Sequence, residues 1–477
     1  MDRPDAPRGG MRAGDDAGTA RGPDPGDAAD GLPPPGATAR PGRFSAGARE
    51  ELLGALRAAR PAPAPAAPAP ARSFDFTALP IHHAMRVQRQ AAEALGVDMP
   101  FFRPQAERAG PEITLSGRRL LNFTAYDYLG FNGREEVQEA AREAILRYGV
   151  SVGASRVVAG ERDLHRSLES RIARFLGAEA AVTFVSGHAT NMAAIATLLG
   201  PRDLVLTDAL IHNSIAEGAR LSGAARVSFP HGDHAWVDDF LSRRRGEYER
   251  VLIAVEGLYS MDGDAPDLRG FVSVKRRRDA WLMVDEAHSL GTLGPTGRGI
   301  GEAAGVAAEE VEIWMGTLSK SLASTGGYIA GSTALVEIMK GAAPGFVFSV
   351  GLPAPLAAAA DAALALLEAE PQTVARLQAN GARMLEAARG AGFDTGAAQG
   401  HAILPVKTGS SVGAALLSDE CWKRGLYALP ITFPAVPERE ARLRFFLTAA
   451  HAPEQIDDAV RICAEAQAAA LARRADL

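Results

Sequence analysis

Cysteine is nearly absent: Cys421 and Cys463 are the two in 477 residues. Two thiols cannot build a disulfide framework, and so few suit a reducing compartment. Lysine is almost as scarce. Five occur (Lys275, Lys320, Lys340, Lys407 and Lys423) among 51 Lys and Arg residues, so any chemistry that needs an amine has few candidates. Long apolar runs are also missing. The most apolar stretch, 356–368, is short, rich in alanine and interrupted by Asp361, which predicts a buried helix and no membrane span. The first residues carry charge and proline where a secretory leader needs an apolar run, and a cytoplasmic location is expected. Nor does one sign of charge dominate: 57 acidic against 51 basic residues give a net charge of −6. That balance leaves no footprint for nucleic acid or an anionic membrane. The one dense basic run, Lys275 to Arg278, is expected on a solvated helix face.

Apolar residues make up 47% of the chain, enough for a large α/β domain and a smaller one. Residues 1–72 hold 13 of the 30 prolines and are read as a disordered Pro/Ala-rich extension. Within it, Leu52, Leu53 and Leu56 suggest one face of a transient helix. The expected division continues with an N-terminal segment 73–115, a large domain 116–353, a connecting helix 354–370 and a C-terminal domain 371–477. A strand pair is expected between Glu112 and Asn122, turning at Ser116 and Gly117. Leu164, Leu168, Ile172 and Phe175 recur at helical spacing over Asp163 to Leu176, with Gly177 as a stop. Short apolar runs (181–185, 204–206, 251–255, 281–284 and 312–315) lack polar alternation, as strands of a parallel sheet covered on both faces do. A helix near 354–368 should lead to the C-terminal α+β part.

Several blocks carry chemistry. The strand Trp281 to Val284 ends in Asp285-Glu286-Ala287-His288. At the carboxyl end of a parallel strand, where ligands sit, an acid either pairs with a buried cation or caps the next helix. Gly316-Thr317-Leu318-Ser319-Lys320, followed by Gly326-Gly327, sets hydroxyls beside a lone amine. This suits a phosphate site with an adjacent imine-forming lysine, because burial lowers lysine basicity. Val185-Ser186-Gly187-His188 runs from a strand into a helix, whose free N–H groups attract an anion. His212 follows a strand and turn, a position that is structural in most proteins. Glu256 to Asp264 is another polar strand end. Arg442 and Arg444 fall on one face of a strand, and a guanidinium there fits a carboxylate.

In this order, the motifs Asp285-Glu-Ala-His288, Thr317-Leu-Ser-Lys320 and Ser260-Met-Asp-Gly-Asp264 resemble those of the α-oxoamine synthase family. The resemblance covers about residues 80 to 470. It implies the fold-type I PLP-transferase fold: α/β, with a mostly parallel central sheet, helices on both faces and a smaller C-terminal α+β domain. It implies pyridoxal 5′-phosphate (PLP) as cofactor and no metal. It implies Lys320 as Schiff-base lysine, Asp285 on the pyridine nitrogen, and His288 and Ser260 near the ring hydroxyl. His212 would stack on the ring, and Gly187, His188 and Thr317 would hold the phosphate. Arg444 would bind the substrate carboxylate, and Ser349 would reach the phosphate of a neighbouring subunit in a homodimer. The activity implied is decarboxylative condensation of an amino acid with an acyl-CoA or acyl-carrier-protein thioester to an α-amino ketone.

Many members carry asparagine where Tyr126 stands; tyrosine in its place resembles the serine palmitoyltransferases. The segment Ile431 to Pro437 is closer to the aminolevulinate and ketobutyrate branches. The expectation is serine with a long acyl donor. The alternatives are oxononanoate-synthase or ketobutyrate-ligase activity on alanine or glycine, aminotransfer on the same fold, and a catalytically silent partner subunit, against which the intact Lys320 motif argues. The N-terminal extension is read either as an inert tail or as a dock for a carrier protein.

Overall fold

The computed structural model describes residues 75–475. The expectations for residues 1–72 (disorder, a leucine-faced helix, a carrier dock) lie outside the described residues. From Leu79 onward the chain forms one unit. Its strands, in chain order, are β1 (Glu112–Leu115), β2 (Arg118–Asn122), β3 (Ala180–Phe184), β4 (Leu204–Asp208), β5 (Ala225–Phe229), β6 (Val251–Glu256), β7 (Trp281–Asp285), β8 (Ile313–Thr317), β9 (Gly327–Gly331), β10 (Ile403–Lys407), β11 (Leu426–Tyr427), β12 (Leu429–Ile431) and β13 (Arg442–Phe446).

Seven strands make the central sheet, in the order β3-β9-β8-β7-β6-β4-β5. β9 is antiparallel to both its neighbours and the other pairs are parallel. Every residue of β4, β6, β8 and β9 is buried. This is why their sequences run apolar without alternation: helices cover both faces. Each buried Val, Leu or Ile there contributes roughly 1.5–3 kcal/mol relative to exposure. The five expected apolar runs correspond to β3, β4, β6, β7 and β8. Two strands escaped the sequence. β5 is an edge strand with exposed residues. β9 hides among glycines needed for close packing, since a Cβ on Gly327 would lie 2.6 Å from Thr190 Oγ1 and 2.7 Å from Gly187 Cα.

The hairpin β1-β2 turns at Ser116 (φ 51°) and Gly117 (φ 73°), the two positive angles that a two-residue turn matched to strand twist requires. The helix Asp163–Leu176 buries Leu168, Ile172 and Phe175 and stops at Gly177 in the left-handed conformation. The Ala-rich helix Ala354–Ala369 packs on the helices Glu135–Tyr148 and Asp163–Leu176. The C-terminal part sets the sheet β10-β13-β12 beside helices Pro371–Gly390, Ser411–Lys423 and Pro453–Ala475. β11 pairs in parallel with β2, so the early hairpin shares a sheet with a C-terminal strand.

The basic run ends the helix Leu268–Arg278. Arg276 pairs with Glu310 and Arg277 and Arg278 with Asp238 on the solvated side, but Lys275 departs from the expected solvated face: it is buried and pairs with Glu312. Among the described residues no helix is long and apolar enough to cross a membrane.

Candidate active site

Parallel strands point their carboxyl ends to one edge, and Asp208, Glu256, Asp285 and Thr317 end β4, β6, β7 and β8 there. Asp285 is buried. Its Oδ2 accepts from Asn191 Nδ2 at 2.8 Å and its Oδ1 from the Ala287 N–H at 2.9 Å. Asn191 Nδ2 also donates to Ser214 Oγ (2.9 Å), which lies 2.6 Å from His212 Nδ1. One network thus joins the carboxylate to the imidazole expected over a ring. Both donors to Asp285 are neutral, so neither is the cationic partner a buried carboxylate calls for.

Lys320 Nζ lies 2.9 Å from His288 Nε2, and His288 Nδ1 lies 2.6 Å from Tyr128 OH. Burial, with the positive charges of Lys320 and Arg444, holds His288 well below the usual histidine range. A neutral ring that accepts from Lys320 at Nε2 carries its proton on Nδ1 and donates it to Tyr128. Burial also brings Lys320 down to about 8, against the opposing charge of Asp285. Glu256, opposite Asp285 in register, is pushed well above the carboxylate range by burial and by its charged neighbour.

Ser186 caps the helix Gly187–Leu198. A Cβ on Gly187 would stand 3.0 Å from Thr317 Oγ1, so glycine lets the helix start approach the hydroxyl. Thr317 Oγ1 in turn lies 2.7 Å from Ser319 Oγ. N–H groups and hydroxyls meeting at a helix N-terminus form a cup for an anion. His188 borders it and packs edge-on to His212, with 6.2 Å between ring centres.

Arg442 and Arg444 both reach the 257–264 loop, as alternation predicts. Arg444 Nη1 donates to Ser260 O (3.0 Å), and its Nη2 reaches Tyr126 OH at 3.5 Å. Its Nε is buried without a partner. The Tyr126 ring centre is 5.7 Å from Lys320 Nζ, and the ring stands edge-on to His288 and Phe446. Ser349 alone lies apart from these contacts. Its hydroxyl donates to Val350 O at 3.2 Å, beside Phe348, which is 86% exposed.

Residues 118–462 match the aminotransferase class I and II family model. An 8-amino-7-oxononanoate synthase from Anaeromyxobacter sp. (strain K) is 40% identical over 354 residues, 74% of this chain and 88% of the relative. One from Geobacter sulfurreducens is 40% identical over 362 residues, 75% of this chain and 92% of the relative. Among solved structures, the Sphingomonas wittichii serine palmitoyltransferase superposes with a TM-score of 0.79 at 30% identity, covering 83% of this chain and 99% of that one.

The chain belongs to the α-oxoamine synthase family.

As an α-oxoamine synthase it is a PLP-dependent acyltransferase of fold-type I, whose general chemistry is decarboxylative Claisen-type condensation of an amino acid with an acyl thioester. The residues fit that cofactor: an anion cup, an acid and a low-basicity amine share one rim. The unpartnered Arg444 Nε adds a donor for a further acidic group.

No role for Tyr128, Asn191 or Ser214, which orient His288, Asp285 and His212, was read from the residues alone. Asn191 and Ser214 do sit inside the blocks singled out, spaced a helical turn or less from them. Tyr128 lies far from His288 in sequence and carries no local signal.

Proposed function

We propose that this α-oxoamine synthase condenses serine with a long-chain acyl thioester at the rim built by Lys320, Asp285, His288 and Arg444. The observation that carries the reading is the line Lys320–His288–Tyr128: an amine brought down to about 8, held by a neutral histidine and within electrostatic reach of the buried Asp285.

Bound PLP supplies an electron sink for the charge left on an amino-acid α-carbon. Lys320 would hold the cofactor and, once freed, would accept the α-proton, a task that suits an amine at about 8. His288 keeps Nζ in place and Tyr128 fixes the imidazole. Asp285 would pair with the pyridine nitrogen. His212 would stack on the ring, and Gly187, His188 and Thr317 would hold the phosphate. Ser260 would lie near the ring hydroxyl. Arg444 binds the substrate carboxylate so that the breaking bond is fixed in direction, a positioning effect.

Tyr126 supports serine. Its phenol adjoins Arg444 on the substrate side and gives a side-chain hydroxyl a partner. The 40% identity to 8-amino-7-oxononanoate synthases favours a second reading, alanine or glycine as the amino acid. A matrix of serine, alanine and glycine against short, dicarboxylic and long acyl-CoA and carrier-bound donors, read by thiol release and product mass, separates them. Tyr126→Phe should lower kcat/KM for serine by roughly tenfold relative to alanine, the effect of one lost hydrogen bond. Equal effects on both amino acids would remove the serine argument.

A homodimer is part of the proposal. Leu146 (88% exposed), Val150, Val157, Val158 (81%), Phe348 and Val350 expose large apolar side chains. Ser155 Oγ to Val347 O (2.7 Å) and Gly351 N to Ala154 O (3.1 Å) tie two of their segments together. Such a patch is the mark of an interface, and it carries Ser349, the expected phosphate contact for a neighbouring site. Light scattering should give twice the chain mass. Phe348→Asp should shift it toward one chain and weaken PLP retention.

A further inference from the structure

We infer that His231 is a positioning residue that ties together the two loops flanking the cofactor site, 208–214 and 257–264. The inference rests on the reading that His212 and Ser260, one on each loop, border the cofactor.

His231 follows β5 at the sheet edge. Its Nδ1 lies 2.8 Å from Asp208 Oδ1 and its Nε2 lies 2.8 Å from Asp264 Oδ2. Both acids are buried. An imidazole that donates at both nitrogens is an imidazolium. Burial disfavours that charge, but hydrogen bonds to the two carboxylates overcome the cost and hold the ring up to about 10. The ring therefore bridges two buried acids as a cation across the neutral range. A neutral side chain would leave both without a cationic partner.

Each acid organises its own loop. Asp208 Oδ1 also accepts from the Leu210 N–H, and Oδ2 from the Gly232 N–H, both at 2.8 Å. This sets the turn that leads to His212. Asp264 closes the other loop, with its carbonyl accepting from the Tyr259 N–H at 2.8 Å while Gly263 N donates to Tyr259 O at 2.9 Å. The Tyr259 ring stands at 90° to His231, with centres 4.5 Å apart.

From the opposite side, Arg442 Nη1 holds Met261 O (2.9 Å) and Asp262 Oδ1 (2.7 Å), and Arg444 holds Ser260 O. Ser260 is thus clamped between the C-terminal strand β13 and the His231 tie. The spacing between His212 and Ser260, which sets how a flat ring fits between them, depends on a residue that need not touch the ring.

The test uses the full chain with and without added PLP. His231→Gln should quicken amide hydrogen exchange by roughly tenfold in peptides covering both 208–214 and 257–264, the effect of losing a charge-assisted contact. PLP dissociation should rise by a comparable factor, with a changed visible circular dichroism of the bound cofactor. Asp264→Asn keeps an acceptor for Nε2 and removes one charge. It covers the case in which the first variant does not fold, and should quicken both loops by a smaller factor. Quickening confined to one loop, or absent from both, overturns the tie. Failure of the wild-type chain to take PLP on Lys320 would overturn the proposed function instead, and leaves the exchange test of the two loops standing.

Discussion

Replacing Lys320 with alanine is expected to abolish covalent capture of PLP and to lower turnover by on the order of 10⁴-fold, the upper range for loss of a positioned base. The other four lysines offer no rival. Lys275 is paired with Glu312, Lys340 with Glu169, Lys407 with Glu440, and Lys423 with Asp419 and Glu420. Each is tied up in an ion pair, whereas Lys320 faces a neutral histidine and sits at about 8. The sign of the pH effect follows. Below pH 8 the amine is mostly protonated and attack on the aldehyde slows about tenfold per unit; above it the rate levels off. Stopped-flow absorbance after mixing chain and PLP reads this profile. Borohydride reduction followed by peptide mass mapping reads the site. A label on any other lysine would remove the foundation of the mechanism.

Replacing Asp285 with asparagine is expected to leave PLP attached while turnover falls about 10²–10³-fold, the scale for losing one electrostatic contact aimed at developing charge. The side chain keeps its size and one oxygen for Asn191 or the Ala287 N–H, so the fold should survive. A second effect separates charge from shape. The Asp285 carboxylate raises Lys320 against burial. Without it the amine should titrate below about 8, and the capture profile should move to lower pH. A large loss of turnover with an unmoved profile would mean that Asp285 acts by packing alone.

Strand-end chemistry was legible because parallel strands leave two signals in one place: an apolar run, then a polar residue. Asp285, Lys320 and Thr317 were found this way. Arg444 was legible from period-two alternation. The unread residues share a physical reason. Tyr128 reaches His288 across 160 positions, and His231 reaches Asp264 across 33; such pairs exist only once the sheet has brought their loops together. β9 was unread because its glycines, chosen for closeness to Gly187, imitate a loop. The apolar patch proposed as a dimer face was legible only as a role for Ser349; the exposure of Phe348 and Val158 shows once the chain is folded.

The pairing of β2 with β11 bears on how the chain is made. Arg118 reaches Lys423 O across 305 positions, and Leu121 aligns with Leu426. During synthesis the first of these partners leaves the ribosome long before the second, and contacts so distant form late. The stretch bearing Tyr126 and Tyr128 follows β2 directly, so a nascent chain that has not yet made β11 holds Lys320 without its final neighbours, and competence for catalysis waits for that strand.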